Sequence, residues 1–190
     1  MFRQLAVVLS LASTLTLPAV AQDSSSKDKS LDIRSSVGDL HVGPDADAKK
    51  IGVPLYPGAR PKSKKDSDHD QANLSILTEE FGMNLLVASY VSDDQPAKII
   101  DFYRDKLKKF GKVLECHSQK RGVNMDSHDE DKDSGKNKEL KCDEDSGPVT
   151  ELKVGTEDNQ HIVAVEPGDA SKGTTFALVY LRTRGKRGEI

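Results

Sequence analysis

A strand, a helix and a second strand follow one another between Leu85 and Cys116, and this stretch constrains the fold more than any other. From Leu85 to Val91 both alternating sets of side chains are mostly apolar, which is typical of an interior strand covered on both faces. Asp94 can accept hydrogen bonds from free backbone N–H groups, and Pro96 supplies a helical φ. The sequence therefore predicts a helix that begins beside these two residues.

The segment from Ala97 to Phe110 has apolar residues at helical spacing. They form one stripe, which consists of Ile99, Ile100, Tyr103, Leu107 and Phe110. We interpret this stripe as core packing, because a surface helix normally buries one apolar face. Lysines near its end and Gly111 after it predict where the helix stops. The extended pattern resumes at residues 112–116 and predicts the following strand.

Turn residues divide the rest of the chain into short alternating segments. Hairpins are predicted at residues 31–42 and 73–91. A short helix is expected from Asp45 to Ile51, closed by Gly52, and Pro57-Gly58 suits a type II turn. Further strands are predicted at residues 139–142, 149–154, 161–165 and 174–183. Strands joined by such tight turns are typical of an antiparallel meander.

The predicted fold class is α+β, with one main helix packed on a mostly antiparallel sheet in two layers. The strands on either side of the helix are expected to run parallel, with a right-handed crossover, if they share a sheet. A ferredoxin-like split βαβ arrangement is the alternative. It requires a second comparable helix, and the sequence shows no periodic segment of that length.

The N terminus has the pattern of a secretory signal peptide. Arg3 precedes an apolar run from Leu5 to Leu17, and Ala19-Val20-Ala21 forms a cleavage site. The run is too short for a comfortable membrane span. We expect cleavage after Ala21 and a periplasmic or secreted product. The expected domain organisation is a signal peptide (1–21), a disordered leader (22–30), a single α+β domain (31–184) with a disordered loop at about 118–137, and a flexible tail (185–190).

The charge balance argues against one class of partner. The net charge is −3 over the whole chain, and the predicted signal peptide carries one cation and no acid. A chain of this sign does not bind nucleic acid or anionic membrane over its whole surface. No transmembrane segment is predicted beyond the signal peptide.

Cys116 and Cys142 are the only cysteines. In a secreted chain, two cysteines that flank a polar segment are expected to form a disulfide. The alternative is a pair of reduced, buried thiols. We expect no other site residue, and neither a catalytic group nor a cofactor is assigned.

Two acidic runs resemble part of a calcium-binding loop. The first contains Asp129, Asp131 and Asp133, and the second contains Asp66, Asp68 and Asp70. Neither run has the glycine and the glutamate that complete such a loop. We interpret both as solvated charge runs, with weak cation binding as the alternative.

Known catalytic motifs are absent from the sequence. The five histidines (His41, His69, His117, His128 and His161) include no pair at helical i, i+4 spacing, and nucleophile-elbow and phosphate-binding glycine motifs are missing. His117 follows Cys116, but neighbours on a strand point to opposite faces. A basic cluster (Arg182, Arg184, Lys186 and Arg187) suits a solvated strand end, or contact with an anionic polymer.

Two local motifs carry a resemblance to a known group. The run Val53-Pro54-Leu55-Tyr56-Pro57-Gly58-Ala59 and the helix from Ile99 to Leu107 after Ser92-Asp93-Asp94 resemble a group of uncharacterised bacterial secreted proteins. That group carries a YPGA turn, a helix of pattern D…FY…L and a late strand like residues 176–183. The resemblance implies a shared fold and no activity.

These observations favour a non-catalytic domain that binds a protein or an envelope polymer through its sheet face or its loops. An enzyme of the hydrolase type with a dispersed site is the second hypothesis, and a weak cation-binding surface protein is the third. The surface around Tyr56, Tyr90 and His161 discriminates between them, because a cleft there favours chemistry and a flat face favours binding.

Overall fold

A computed structural model of the protein describes residues 30–43, 46–62, 71–119, 139–142, 146–168 and 173–185. Of the described residues, 53% lie in strands and 16% in helices. The strands are β1 (Leu31–Ser35), β2 (Gly38–Gly43), β3 (Arg60–Pro61), β4 (Gln71–Leu77), β5 (Gly82–Ser92), β6 (Leu114–Ser118), β7 (Val149–Thr156), β8 (Asn159–Val165) and β9 (Thr174–Arg184). The helices are α1 (Ala48–Ile51) and α2 (Pro96–Leu107), and α2 continues into a 3₁₀ turn (Lys108–Phe110).

The nine strands form one antiparallel sheet. Their order is β1-β2-β4-β5-β9-β8-β7-β6, and the short β3 pairs with β5 beside this path. The central pair is β5 with β9, which is in register from Gly82 opposite Arg184 to Ser92 opposite Thr174. The predicted hairpins β1–β2 and β4–β5 and the meander β7–β8–β9 are all present.

The predicted fold class is wrong. We expected α+β with one main helix covering a sheet in two layers, and the described part of the chain is mostly sheet, with two helices and nine strands. The core beneath the helices takes side chains from β5, β7, β8 and β9, and within the described residues it takes none from β1, β2 or β4. Three of the nine strands thus lie beyond the region that the helices cover. The expected arrangement, in which one helix covers the sheet, therefore does not describe this fold.

The ferredoxin-like alternative is also wrong, because it requires one strand between the two strands that flank α2 and a second long helix, and the described residues have neither. The strands on either side of α2, β5 and β6, do share the sheet. Three strands, β9, β8 and β7, lie between them. Each step reverses direction, so β5 and β6 point the same way without being hydrogen bonded to each other.

Three residues of the predicted apolar stripe are buried, and the other two, Ile100 and Phe110, are half-buried. Ile99, Tyr103 and Leu107 are each 0% exposed and pack on the core that includes Leu152 and Phe176. Burial of such side chains is the main favourable contribution to folding. The helix is therefore held to β7, β8 and β9 by packing.

The YPGA turn forms as the sequence predicts. Gly58 has φ +75°, and the N–H of Ala59 donates to the carbonyl of Tyr56 at 3.1 Å. The positive φ is the conformation that glycine adopts at the third position of a type II turn. Gly52, with φ +81°, ends α1 in the same left-handed region.

A disulfide joins Cys116 on β6 to Cys142, with the two Cα atoms 5.5 Å apart, as the sequence analysis predicts. The strand expected at residues 139–142 is wrong, because Glu139 forms only an isolated bridge to Thr156. The predicted signal peptide, most of the leader, residues 120–137 of the predicted loop and residues 186–190 of the tail lie outside the described residues.

Removing the disulfide is expected to destabilise the protein. The bond closes a chain segment with a sequence separation of 26, and loss of that closure costs roughly 3.5 kcal/mol in the chain-entropy description. Denaturant unfolding of Cys116→Ala/Cys142→Ala beside the oxidised wild type measures the difference. Thiol reductant should lower the stability of the wild type and leave the double variant unchanged, and equal stability of all samples would contradict the expectation.

Candidate binding surface

The tyrosines singled out in the sequence are structural. Tyr56 is 8% exposed and Tyr90 is 3% exposed, so neither presents a polar surface to solvent. The Tyr90 hydroxyl accepts the N–H of Ala48 at 2.9 Å, and the Tyr103 hydroxyl accepts the N–H of Tyr56 at 3.0 Å. Burial raises the pKa of Tyr90 and of Tyr103. These hydroxyls stay neutral and satisfy backbone groups that would otherwise be buried without partners.

Asp94 connects the YPGA turn to the start of α2. Lys98 donates to Asp94 Oδ1 at 2.8 Å, and the Tyr56 hydroxyl donates to Oδ2 at 2.9 Å. These two hydrogen bonds hold the pKa of Asp94 below its usual range, and the bond from Lys98 has the larger effect. The expected capping role of Asp94 is wrong, since Gln95 occupies the N-cap without a side-chain bond. The carboxylate instead fixes the turn against the helix.

His161 lies between two aromatic rings. Its ring is stacked on Phe110 with centroids 4.0 Å apart, and the Tyr180 ring is tilted at 4.9 Å. Nε2 is 3.1 Å from the carbonyl oxygen of Ile51, so it carries the proton and donates. Burial is the largest cause lowering the pKa of His161, the Ile51 hydrogen bond opposes it, and Lys109 lowers it further. The residue therefore packs as a neutral ring at the end of α1.

Acidification is expected to weaken the fold through His161. Because its folded pKa is below the ordinary value of 6.5, the unfolded chain binds a proton more readily. Stability is then full above about pH 6.5 and falls as the pH is lowered through the folded pKa. Unfolding of His161→Gln and the wild type across this range measures the difference. The variant should lose part of the pH dependence, and identical pH profiles would contradict the assignment.

The other candidate residues do not assemble into a reactive site. Cys116 is bonded to Cys142 and is not available as a nucleophile for His117. His41 contacts Asp32, with Nδ1 and Oδ1 2.7 Å apart. Among the described residues, no group of three or more metal-binding side chains comes together. Both acidic runs, His69, His128, Lys186 and Arg187 lie outside the described residues, and Arg182 and Arg184 are exposed on β9.

The structure brings together a buried polar cluster that the sequence analysis missed. Glu151 and Lys153 are 4% and 6% exposed, and Lys153 Nζ is 3.4 Å from Glu151 Oε2. Ser118 donates to Glu151 Oε1 at 3.0 Å. Glu151 is also opposite Cys116 in the β6–β7 register. In the sequence, the only indication of this cluster is that its two charged residues alternate with Leu152 and Val154. Such a pattern normally indicates a strand whose charged face is solvated.

Breaking this buried pair is expected to cost more than breaking an exposed one. Glu151→Gln removes the carboxylate that lies 3.4 Å from the buried Lys153 ammonium, and this lowers the free energy of unfolding by about 3 kcal/mol. Joint replacement, Glu151→Gln with Lys153→Met, should restore much of the loss. Denaturant unfolding measures both. The control is Asp93→Asn, which breaks an exposed ion pair to Arg60, and an equal effect in the control would contradict the prediction.

A second feature, also not anticipated from the sequence, is an apolar surface on the face of the sheet opposite α2. Strand register decides which residues share a face, because directly paired residues point the same way. Leu85 and Val87 lie in the cluster away from α2, and Leu85 is paired through β4 and β2 to Leu31. We define the outer apolar surface as six side chains on β1, β2 and β4: Leu31, Ile33, Leu40, Val42, Leu74 and Ile76.

This surface is in contact with solvent. Leu31, Ile33 and Val42 are 54%, 47% and 40% exposed, and the other three side chains are half-buried. Single exposed apolar residues are ordinary on a protein surface, whereas contiguous ones mark an interaction site. The outer apolar surface is therefore the strongest candidate for a binding surface among the described residues.

The reverse face of the same three strands is mostly polar. It carries Asp32, Arg34, Asp39, His41 and Ser75, which alternate with the apolar residues, and it has one exposed apolar side chain, Leu77. The α2 side of the sheet is thus apolar at β5, β7, β8 and β9 and polar at β1, β2 and β4. The helix does not extend over these outer strands, whose α2 side offers it little apolar surface to cover.

No protein-family model, curated protein or solved structure matches the chain. Across the described residues, no helix is long and apolar enough to cross a membrane.

Proposed function

We propose that this protein is a non-catalytic domain that binds a protein or an envelope partner outside the cytoplasm. The outer apolar surface is the observation that carries the proposal. Six apolar side chains in register on three neighbouring strands are half-buried or exposed, and hydration of such a contiguous area is unfavourable. Covering it with a partner releases that water and stabilises the complex.

The residues with hydrogen-bonding chemistry support a binding role over catalysis. The hydroxyls of Tyr90 and Tyr103 accept backbone N–H groups, and His161 donates to a backbone carbonyl. Each of these groups holds one structural element against another. The polar groups of these side chains thus have structural roles.

The location outside the cytoplasm rests on two observations. The first is the signal-peptide pattern with its cleavage site after Ala21. The second is the disulfide between Cys116 and Cys142, since structural disulfides persist in oxidising compartments. Under this proposal the processed chain begins at Gln22, in the periplasm or the surrounding medium. Intact mass of protein recovered from those fractions tests it, and a mass that includes residues 1–21 would contradict it.

A charge placed on the outer apolar surface is expected to abolish partner binding. Val42→Asp adds a carboxylate at a position that is already 40% exposed, so folding is retained while burial against a partner becomes unfavourable. Cross-linked complexes from the native envelope, recovered with the tagged wild type and the variant, are compared by quantitative mass spectrometry. We expect a component that the wild type retains and Val42→Asp loses.

The matched control is Ser75→Asp, which adds the same charge to the polar face of β4, the neighbour of β2. It should retain the component. Loss of binding in both variants, or in neither, would contradict the assignment of the surface. Circular dichroism of both variants establishes that they are folded.

A further inference from the structure

The free edge of β1 is a surface whose backbone and side-chain positions define what can pair with it. β1 is the first strand of the sheet order, it pairs only with β2 on the described path, and all five of its residues are exposed. An exposed strand edge presents unpaired N–H and C=O groups to any strand that fits beside it. Which groups point outward, and which side chains flank them, decides what fits.

The β1–β2 hairpin fixes the outward groups. Its loop is only Ser36-Val37, and Ser35 is paired with Gly38, so this closing pair exchanges hydrogen bonds across the hairpin. Hydrogen-bonded and non-hydrogen-bonded pairs alternate along an antiparallel ladder. The backbone groups of Ser35, Ile33 and Leu31 therefore point towards β2, and those of Asp32 and Arg34 point away from the sheet.

The flanking charges select one register for a second β1 strand. When Ile33 of one copy is opposite Ile33 of the other, Asp32 is opposite Arg34 at both ends. All four outward backbone groups of each strand then have partners, and both charge pairs are favourable. Sliding one strand by two residues in either direction keeps the backbone hydrogen bonds but places Asp32 opposite Asp32, or Arg34 opposite Arg34. Like charges directly opposite each other are destabilising.

We propose that β1 pairs with β1 of a second copy of this chain, in an antiparallel, two-fold symmetric register centred on Ile33. The two sheets then form one continuous sheet. The two-fold axis is perpendicular to it, so both outer apolar surfaces lie on the same side. Asp32 contacts His41 through Oδ1, and its carboxylate has a second oxygen that can accept from Arg34 of the other copy. This inference is independent of the proposed partner, because the backbone pairing leaves the outer apolar surface open.

Charge exchange between the two positions tests the register. Asp32→Arg and Arg34→Asp each replace two attractive pairs by two repulsive ones, so each variant alone should dimerise at least about tenfold more weakly than the wild type. Sedimentation velocity over a concentration series measures the dissociation constant. Mixing the two variants makes every cross-strand pair favourable again, and the mixture should form a heterodimer.

The double variant Asp32→Arg/Arg34→Asp separates pairing from damage to the hairpin. Within one copy it still carries the new residue 32 opposite His41 and the new residue 34 opposite Asp39, as the single variants do. Between copies it again places opposite charges at both pairs of positions 32 and 34. Its dissociation constant should return to within about threefold of the wild type. A monomeric wild type at all concentrations, or singles that do not associate on mixing, would overturn the proposal.

Hydrogen exchange of the backbone amides identifies which strand pairs in the dimer. In the wild type, the amides of Asp32 and Arg34 should gain protection from hydrogen exchange as the concentration rises, while the amide of Ile33, already directed at β2, should not change. Association without protection of Asp32 and Arg34 would overturn pairing at this edge. Val42→Asp, which lies on β2, should leave the dissociation constant unchanged, so loss of a partner and loss of the dimer are measured separately.

Discussion

The pairing of β5 with β9 is the interaction on which the rest of the structure depends. The two strands are matched over their whole lengths, from Gly82 opposite Arg184 to Ser92 opposite Thr174. Everything else in the sheet is added on one side or the other, with β4, β2 and β1 beyond β5 and with β8, β7 and β6 beyond β9. Both strands have apolar residues on both faces. That is why the helices can pack on one side of them and a second apolar cluster can form on the other.

The sequence contained most of the local structure. Alternation and turn residues predicted the hairpins and the meander, and helical spacing predicted that Ile99, Tyr103 and Leu107 are buried. The cysteine pair was predicted from the two residues and their context. These features depend on neighbours in the chain, so a pattern in the chain is enough to indicate them.

The features that were wrong or missed depend on long-range register. The fold class was wrong because the number of strands on each side of β5 is not encoded in any one segment, and the helix, as the clearest periodic feature, was given too large a role. The outer apolar surface was missed because Leu31, Val42 and Leu74 become neighbours only through pairing across β1, β2 and β4. The Glu151–Lys153 pair was missed because alternation alone does not tell a buried strand face from a solvated one.

The disulfide gives the chain a second covalent connection between Cys116 and Cys142, beside the peptide that runs from one to the other. Cys116 is on β6, the last strand on its side of the sheet, and β7 begins at Val149. The covalent route from β6 to the neighbourhood of β7 therefore passes through two sulfur atoms as well as along the peptide. A protease that cuts between residues 119 and 139 produces two fragments, one with β1 to β6 and one with β7 to β9, and the disulfide keeps them in one covalent molecule. The covalent link between these two groups of strands consequently does not depend on the peptide between Gln119 and Glu139.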